Sequence, residues 1–274
     1  MNPPPDPSAS RHAIVAERVF DGGRWHERAA VLIEDGRIRG VGKAADVPRD
    51  WARRELAAGA VLAPECVPAG FVKSLARAGV RVSVGHSEAT AEVLERAIDD
   101  GLTGVTHLFN AMPAMSAREP GIVGTALADS RLTAGLIVDG IHVDPTGVRA
   151  AFRAKGAEGI AIVTDAMPTV GSNIDRFSLM GRDITLTNGR LQLANGTLAG
   201  AHLDMAAAVR NAVQLAGVPL DQALQSASLT PAKFLGIEKE RGTLSAGARG
   251  DLVALDANLQ VIDTWIGGVP NADT

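Results

Sequence analysis

The chain has 274 residues, 46% of them hydrophobic, with a formal net charge of −4 and a pI of 5.9. That length accommodates one large α/β domain, or one with a smaller companion, and buries a substantial core. A weakly acidic chain without a run of Lys or Arg excludes nucleic acid and anionic membrane surfaces as partners, no apolar stretch approaches membrane-spanning length, and the single Cys66 permits no internal disulfide, in keeping with a cytoplasmic location.

The opening Met-Asn-Pro-Pro-Pro-Asp-Pro-Ser has neither a basic start nor an apolar core and reads as a flexible tail over residues 1–11, not a signal peptide. Short β-like pieces follow at Ala13–Val19, Ala30–Glu34, Arg37–Val41 and Gly59–Leu62, with a hairpin signal at Asp35-Gly36. The middle of the chain then alternates apolar runs with helical patterns. Val82-Ser-Val-Gly-His86, Gly104-Val-Thr-His107, Leu136-Ile-Val-Asp-Gly-Ile-His142 and Ile160-Ala-Ile-Val-Thr-Asp165 have the character of strands buried on both faces. Between the first two, Thr90 is placed to cap a helix whose apolar face is Val93, Leu94, Ala97 and Ile98 and which Gly101 stops. Near the end, Leu252–Leu255 and Val261–Ile266 again read as strands around a turn at Asp256-Ala-Asn258.

The strand ends recur every ~20 to 35 residues, the length of a βα unit. Four strands are clear and Ala60–Ala63 is a fifth candidate, whereas a closed (β/α)8 barrel needs eight strands and at least about 200 residues. The expected architecture is therefore α/β: an incomplete barrel over 63–242, with a small β-sandwich domain built from 12–62 and 243–270.

Chemistry in parallel-strand folds sits where the strands end. A histidine there can be a metal ligand, a general base, or a residue hydrogen-bonded at the edge of a core. Two on consecutive strands favour metal, because paired strands would hold His86 and His107 about 5 Å apart, close enough to share one divalent ion. Asp165 can exchange protons with a metal-activated water, or it can cap the segment after it. His142, after Asp139-Gly140, has room to bend inward. The loop from His107 to Gly121 ends in Arg118, which suits an anionic ligand unless Glu119 pairs with it. Gly196-Thr-Leu-Ala-Gly200 can bring backbone close to a ligand. His12, His26 and His202 lack such a setting.

Together, Val84-Gly-His86-Ser, Gly104-Val-Thr-His107-Leu-Phe-Asn110-Ala-Met, Arg118-Glu-Pro-Gly, Asp139-Gly-Ile-His142-Val-Asp, Val163-Thr-Asp165-Ala and Thr197-Leu-Ala-Gly200 resemble the N-acetylglucosamine-6-phosphate deacetylases of the amidohydrolase superfamily. The tail from Ala227 to Gly236 and from Gly242 to Val253 resembles the superfamily's last helix and return to the small domain. The resemblance implies a TIM-like barrel and a hydrolase that deacetylates N-acetylglucosamine 6-phosphate with a divalent metal, zinc first and iron, manganese or cobalt as alternatives. It implies His86 and His107 as metal ligands and Asp165 as the catalytic acid/base. Asn110, Ala111, Arg118, Asp139, Gly140, Ile141, His142, Leu198, Ala199 and Gly200 would bind substrate. A homodimer is implied, with Arg118 reaching a neighbouring subunit's phosphate. Ala201 stands where the family usually has Ser. The larger departure is at Val61-Leu-Ala-Pro-Glu65, where two Leu-Ala-Pro segments of the family look fused. The fusion removes the early barrel strands and the Glu that would be the third protein ligand; Glu65 belongs to the later segment and is not that ligand. Weak metal retention and impaired activity are expected. The alternative is a non-catalytic sugar-phosphate-binding or subunit-pairing remnant.

Overall fold

The computed structural model describes residues 11–20, 25–34, 37–43, 59–179 and 181–271, with those before 63 described by their backbone alone. The expected tail over 1–11 and the turn at Asp35-Gly36 lie, but for Arg11, outside the described residues. The chain divides into two compact units, one taking the described residues before 58 with those from Pro231 onward, the other spanning Ala58–Thr230.

In the first unit β1 (Arg11–Phe20), β2 (Trp25–Glu34) and β3 (Arg37–Lys43) form an antiparallel sheet in that order. Glu34 pairs with Arg37, as the hairpin signal requires.

The second unit opens with β4 (Gly59–Leu62), followed by a short 3-10 turn at Pro64–Cys66. Helices and strands then alternate: α1 (Phe71–Arg77), β5 (Arg81–Val84), α2 (Ala91–Asp99), β6 (Leu102–Val105), α3 (Gly121–Ala128), β7 (Thr133–Ile137), α4 (Pro145–Gly159, interrupted at Gly156) and β8 (Ile160–Val163). The five strands pair in parallel in the order β4-β5-β6-β7-β8. Neither β4 nor β8 pairs with the other, so the barrel is incomplete, and the fifth strand anticipated at Ala60–Ala63 is present.

The pattern that made these runs legible is the pattern of their burial. Val82, Val84, Leu102, Val105, Leu136, Ile160 and Ile162 pack in one core with Leu94, Ala97 and Ile98 of α2, each such aliphatic side chain contributing about 1.5–3 kcal/mol when fully buried. The Thr90 hydroxyl accepts from the Val93 N–H, the expected cap, and α2 ends before Gly101. After β8 comes an antiparallel sheet of β9 (Arg176–Leu179), β10 (Arg182–Thr187) and β11 (Arg190–Gln192), in the order β11-β10-β9. Its β10–β11 turn is Asn188-Gly189, both at positive φ, a hairpin signal of the same kind as Asp35-Gly36 that the reading by apolar runs passes over.

Three helices follow: α5 (Met205–Gln214), α6 (Leu220–Ala227) and α7 (Leu229–Leu235). Asp204 caps α5 by accepting from the Ala207 N–H at 2.7 Å. Asp204→Ala is expected to destabilise the protein by about 1 kcal/mol, lowering the thermal midpoint by about 2–4 °C; an unshifted melt would show that the cap carries no weight. β12 (Leu252–Leu255), β13 (Val261–Ile266) and β14 (Val269–Pro270) form an antiparallel sheet in the first unit. The turn expected at Asp256 is closed by its own carboxylate, which accepts from the N–H groups of Asn258 and Gln260. No helix among the described residues is long and apolar enough to cross a membrane.

Candidate active site at the strand ends

β5 and β6 end side by side, and the ladder continues past them: Thr106 N–H donates to the Val84 carbonyl at 2.8 Å, and Leu108 N–H to that of Gly135 at 2.7 Å. His86 and His107 therefore emerge next to each other. Their Nε2 atoms lie 3.0 Å apart, with ring centroids 4.8 Å apart and planes inclined by 70°. His86 (φ 49), His107 (φ 32) and Asp165 (φ 51) are all in the left-handed region, although none is glycine. Each such residue costs about 1–3 kcal/mol, and such strain concentrates at functional sites, where surrounding contacts over-determine the backbone.

His107 is buried, and burial pushes its pKa below the ordinary 6.5, with His86 lowering it further. Among the described residues its Nδ1 has no hydrogen-bond partner. Two facing imidazole nitrogens at 3.0 Å match the spacing of two ligands on one tetrahedral ion, about 3.3 Å for metal–nitrogen bonds of 2.0–2.1 Å. The pair fits a divalent metal as two of its ligands. Among the described residues no third His, Cys, Asp or Glu joins them.

Glu65 shows why. The 3-10 turn after β4 carries its carboxylate across to the loop after β5, where Oε2 accepts from the Ser87 hydroxyl at 2.7 Å and Oε1 from the Glu88 N–H at 2.9 Å. Burial opposes its ionisation, but the Ser87 and backbone hydrogen bonds outweigh this and hold its pKa below the ordinary value. Both oxygens brace the loop that carries His86; neither is turned to a metal.

Asp165 follows β8. No backbone N–H among the described residues donates to its carboxylate, so the capping alternative is not realised. Its carbonyl accepts from the Ala201 N–H at 2.8 Å, and the Ala201 carbonyl from the Met167 N–H at 3.1 Å, a parallel bridge that binds the Leu198–Gly200 turn to the Asp165 backbone. His202, passed over in the sequence, adds a contact between its Nδ1 and the buried Thr169 hydroxyl at 2.9 Å.

In the loop after β6, the Asn110 side-chain amide donates to the His107 and Leu108 carbonyls at 3.3 Å each, and Ala111 is left-handed at φ 50. Glu119 does not pair with Arg118: its Oε1 accepts from the N–H groups of Ala91 and Gly121. Arg118 is exposed and has no ion-pair partner among the described residues. Asp139, expected against the substrate, has both carboxylate oxygens engaged with the Ile141 and His142 N–H groups and the His142 ring, because the turn folds back on itself. Gly140 and Ile141 serve that turn, and Nε2 of His142 is left unengaged among the described residues.

The fold has known counterparts. The chain is 41% identical over 207 residues to the N-acetylgalactosamine-6-phosphate deacetylase of Shewanella sp. (strain ANA-3), an alignment covering 76% of this chain and 52% of that protein. It is 37% identical to the crystal structure of N-acetylglucosamine-6-phosphate deacetylase from Pasteurella multocida, with a TM-score of 0.75 over 78% of this chain and 56% of that one. The corresponding enzyme from Mycobacterium smegmatis, solved as a point mutant in complex with N-acetyl-D-glucosamine-6-phosphate, shares the fold at a TM-score of 0.84 and 24% identity, over 96% of this chain and 99% of that one. The chain spans about half the length of the curated relatives it matches. The amidohydrolase family model matches residues 60–271, from within β4 to just past β14, and the chain belongs to the amidohydrolase family.

Proposed function

We propose that the chain carries the site of a metal-dependent hydrolase that deacetylates N-acetylglucosamine 6-phosphate to glucosamine 6-phosphate and acetate, weakened because no third protein ligand joins the pair among the described residues. The observation that carries this reading is the His86–His107 pair at 3.0 Å on adjacent strand ends. The names of the similar proteins support the substrate class, an N-acetylated hexosamine phosphate.

A divalent ion held by His86 and His107, zinc first and iron, manganese or cobalt as alternatives, would supply Lewis acidity and a water of lowered pKa. Asp165 takes a proton from the attacking water and returns it to the departing amine. Arg118 binds the phosphate, His142 the sugar, and Asn110, Ala111 and Leu198–Gly200 line the ligand. The same reading includes a homodimer in the cytoplasm, in which the exposed Arg118 serves the neighbouring subunit, and a small β-sandwich domain built from both ends of the chain. Two imidazoles hold an ion less well than two imidazoles and a carboxylate, because a charge and a preorganised donor are missing. That shortfall favours the second reading, a remnant that binds sugar phosphate or pairs subunits without turnover.

Acetate release from N-acetylglucosamine 6-phosphate in zinc-supplemented buffer, beside calorimetric binding, separates the two. Slow release that vanishes in Asp165→Asn, with affinity falling about tenfold or more in Arg118→Ala, is the expected result. Binding without release selects the remnant. Neither binding nor release overturns both, and fast turnover with tightly held zinc would overturn the weakened site.

A further inference from the structure

We infer that Asp139 is a positioning residue that fixes a proton on Nδ1 of His142 and makes Nε2 the ring nitrogen presented to the ligand. The identity of that ligand rests on the sugar-phosphate reading above; the geometry does not. The turn after β7 is shaped around one carboxylate. Gly140, at φ 71, lets the chain reverse so that the N–H groups of Ile141 and His142 both reach Asp139 Oδ1 at 2.8 Å. Oδ2 is then left facing His142 Nδ1 at 2.6 Å. Both side chains are deeply buried, 7% exposed for His142 and 8% for Asp139.

Burial alone would raise the Asp139 pKa, but the His142 ring and the two backbone N–H groups outweigh it and hold the carboxyl below its ordinary 3.8. An ionised carboxylate only accepts hydrogen bonds, so the proton in the 2.6 Å contact belongs to Nδ1. Nε2 has no partner among the described residues. The ring is thereby held in one orientation with one tautomer, the service an orienting carboxylate performs for a histidine in hydrolytic triads. This accounts for Asp139-Gly-Ile-His142 as a unit: one acceptor, one left-handed hinge, one spacer and one imidazole.

Asp139→Asn tests it. The two backbone N–H groups still need an acceptor at Oδ1, so the carboxamide turns its NH2 toward Nδ1, and the ring proton must move to Nε2. With 15N-labelled histidine in the full chain, at a pH where His142 carries one ring proton, Nδ1 is expected to be pyrrole-like in the parent and pyridine-like in the variant. The Kd for N-acetylglucosamine 6-phosphate is expected to rise about tenfold or more, since the ligand then meets a donor in place of an acceptor. An unprotonated Nδ1 in the parent overturns the inference even should the variant fail to fold, and so does a variant whose Nδ1 stays pyrrole-like. A parent with the expected ring signals that binds no sugar phosphate overturns the proposed ligand and supports the positioning role.

Discussion

His107→Ala is expected to abolish zinc binding at concentrations where the parent chain is loaded, a loss of about two orders of magnitude or more, because one imidazole alone remains. The parent is itself expected to release zinc to a moderate chelator, since among the described residues the facing pair has no third protein ligand. Competition with a chromophoric chelator measures both, and a variant that keeps the parent's affinity would place the metal elsewhere. Protons compete for the same lone pairs, so affinity should fall as the pH drops through the range in which the buried His107 takes up its proton, which lies below the ordinary 6.5. Stability has the same sign. His107 is held neutral by burial and takes up its proton at a lower pH folded than unfolded. Below about pH 6.5 the unfolded chain therefore binds more protons, and stability that is full above that pH is lost as pH falls through the depressed value. Removing the imidazole should flatten that part of the metal-free stability profile.

Gly200→Ala is the second large effect. Gly200 sits at φ 74, where an L-residue costs about 1–2 kcal/mol, and a Cβ there would lie 2.5 Å from both Cγ and Cε of Met167 and 3.2 Å from the Asp165 carbonyl. Relieving that overlap moves Met167 and strains the bridge through Ala201 that positions Asp165. A drop in thermal midpoint of about 4–8 °C is expected, from a cost of about 2 kcal/mol or more, with faster amide exchange at Ala201. Met167→Ala combined with Gly200→Ala should recover the steric part and leave the backbone strain. A single variant that melts like the parent would show that the turn and Asp165 are not locked together.

The parallel strands were legible because they are buried on both faces, so that burial itself writes the continuous apolar runs at Val82, Leu136 and Ile160. The α2 cap and stop were legible for an equally local reason: Thr90 and Gly101 act within a few residues of themselves. The β9–β11 sheet escaped because its strands are short and largely exposed, leaving Asn188-Gly189 as the main signal. Glu65 was recognisable as a residue that is not the missing ligand, but its bracing of Ser87 and Glu88 depends on β4 lying beside β5. Sequence left open whether Glu119 pairs with Arg118; the loop closes otherwise, with Glu119 capping backbone N–H groups from two places in the chain.

What the amino-acid order determined by itself was the set of strand ends, the placement of His86, His107, His142 and Asp165 on them, and the shortage of strands for a closed barrel. Hydrophobic periodicity and turn chemistry act over a few residues and need no partner to be read. Tertiary structure alone decided which polar groups stay free. Whether a carboxylate faces a ligand or is used up by neighbouring N–H groups depends on donors brought together by the folded backbone, as at Asp139, Glu65 and Glu119, and a hydrogen bond is made or lost within a few tenths of an ångström.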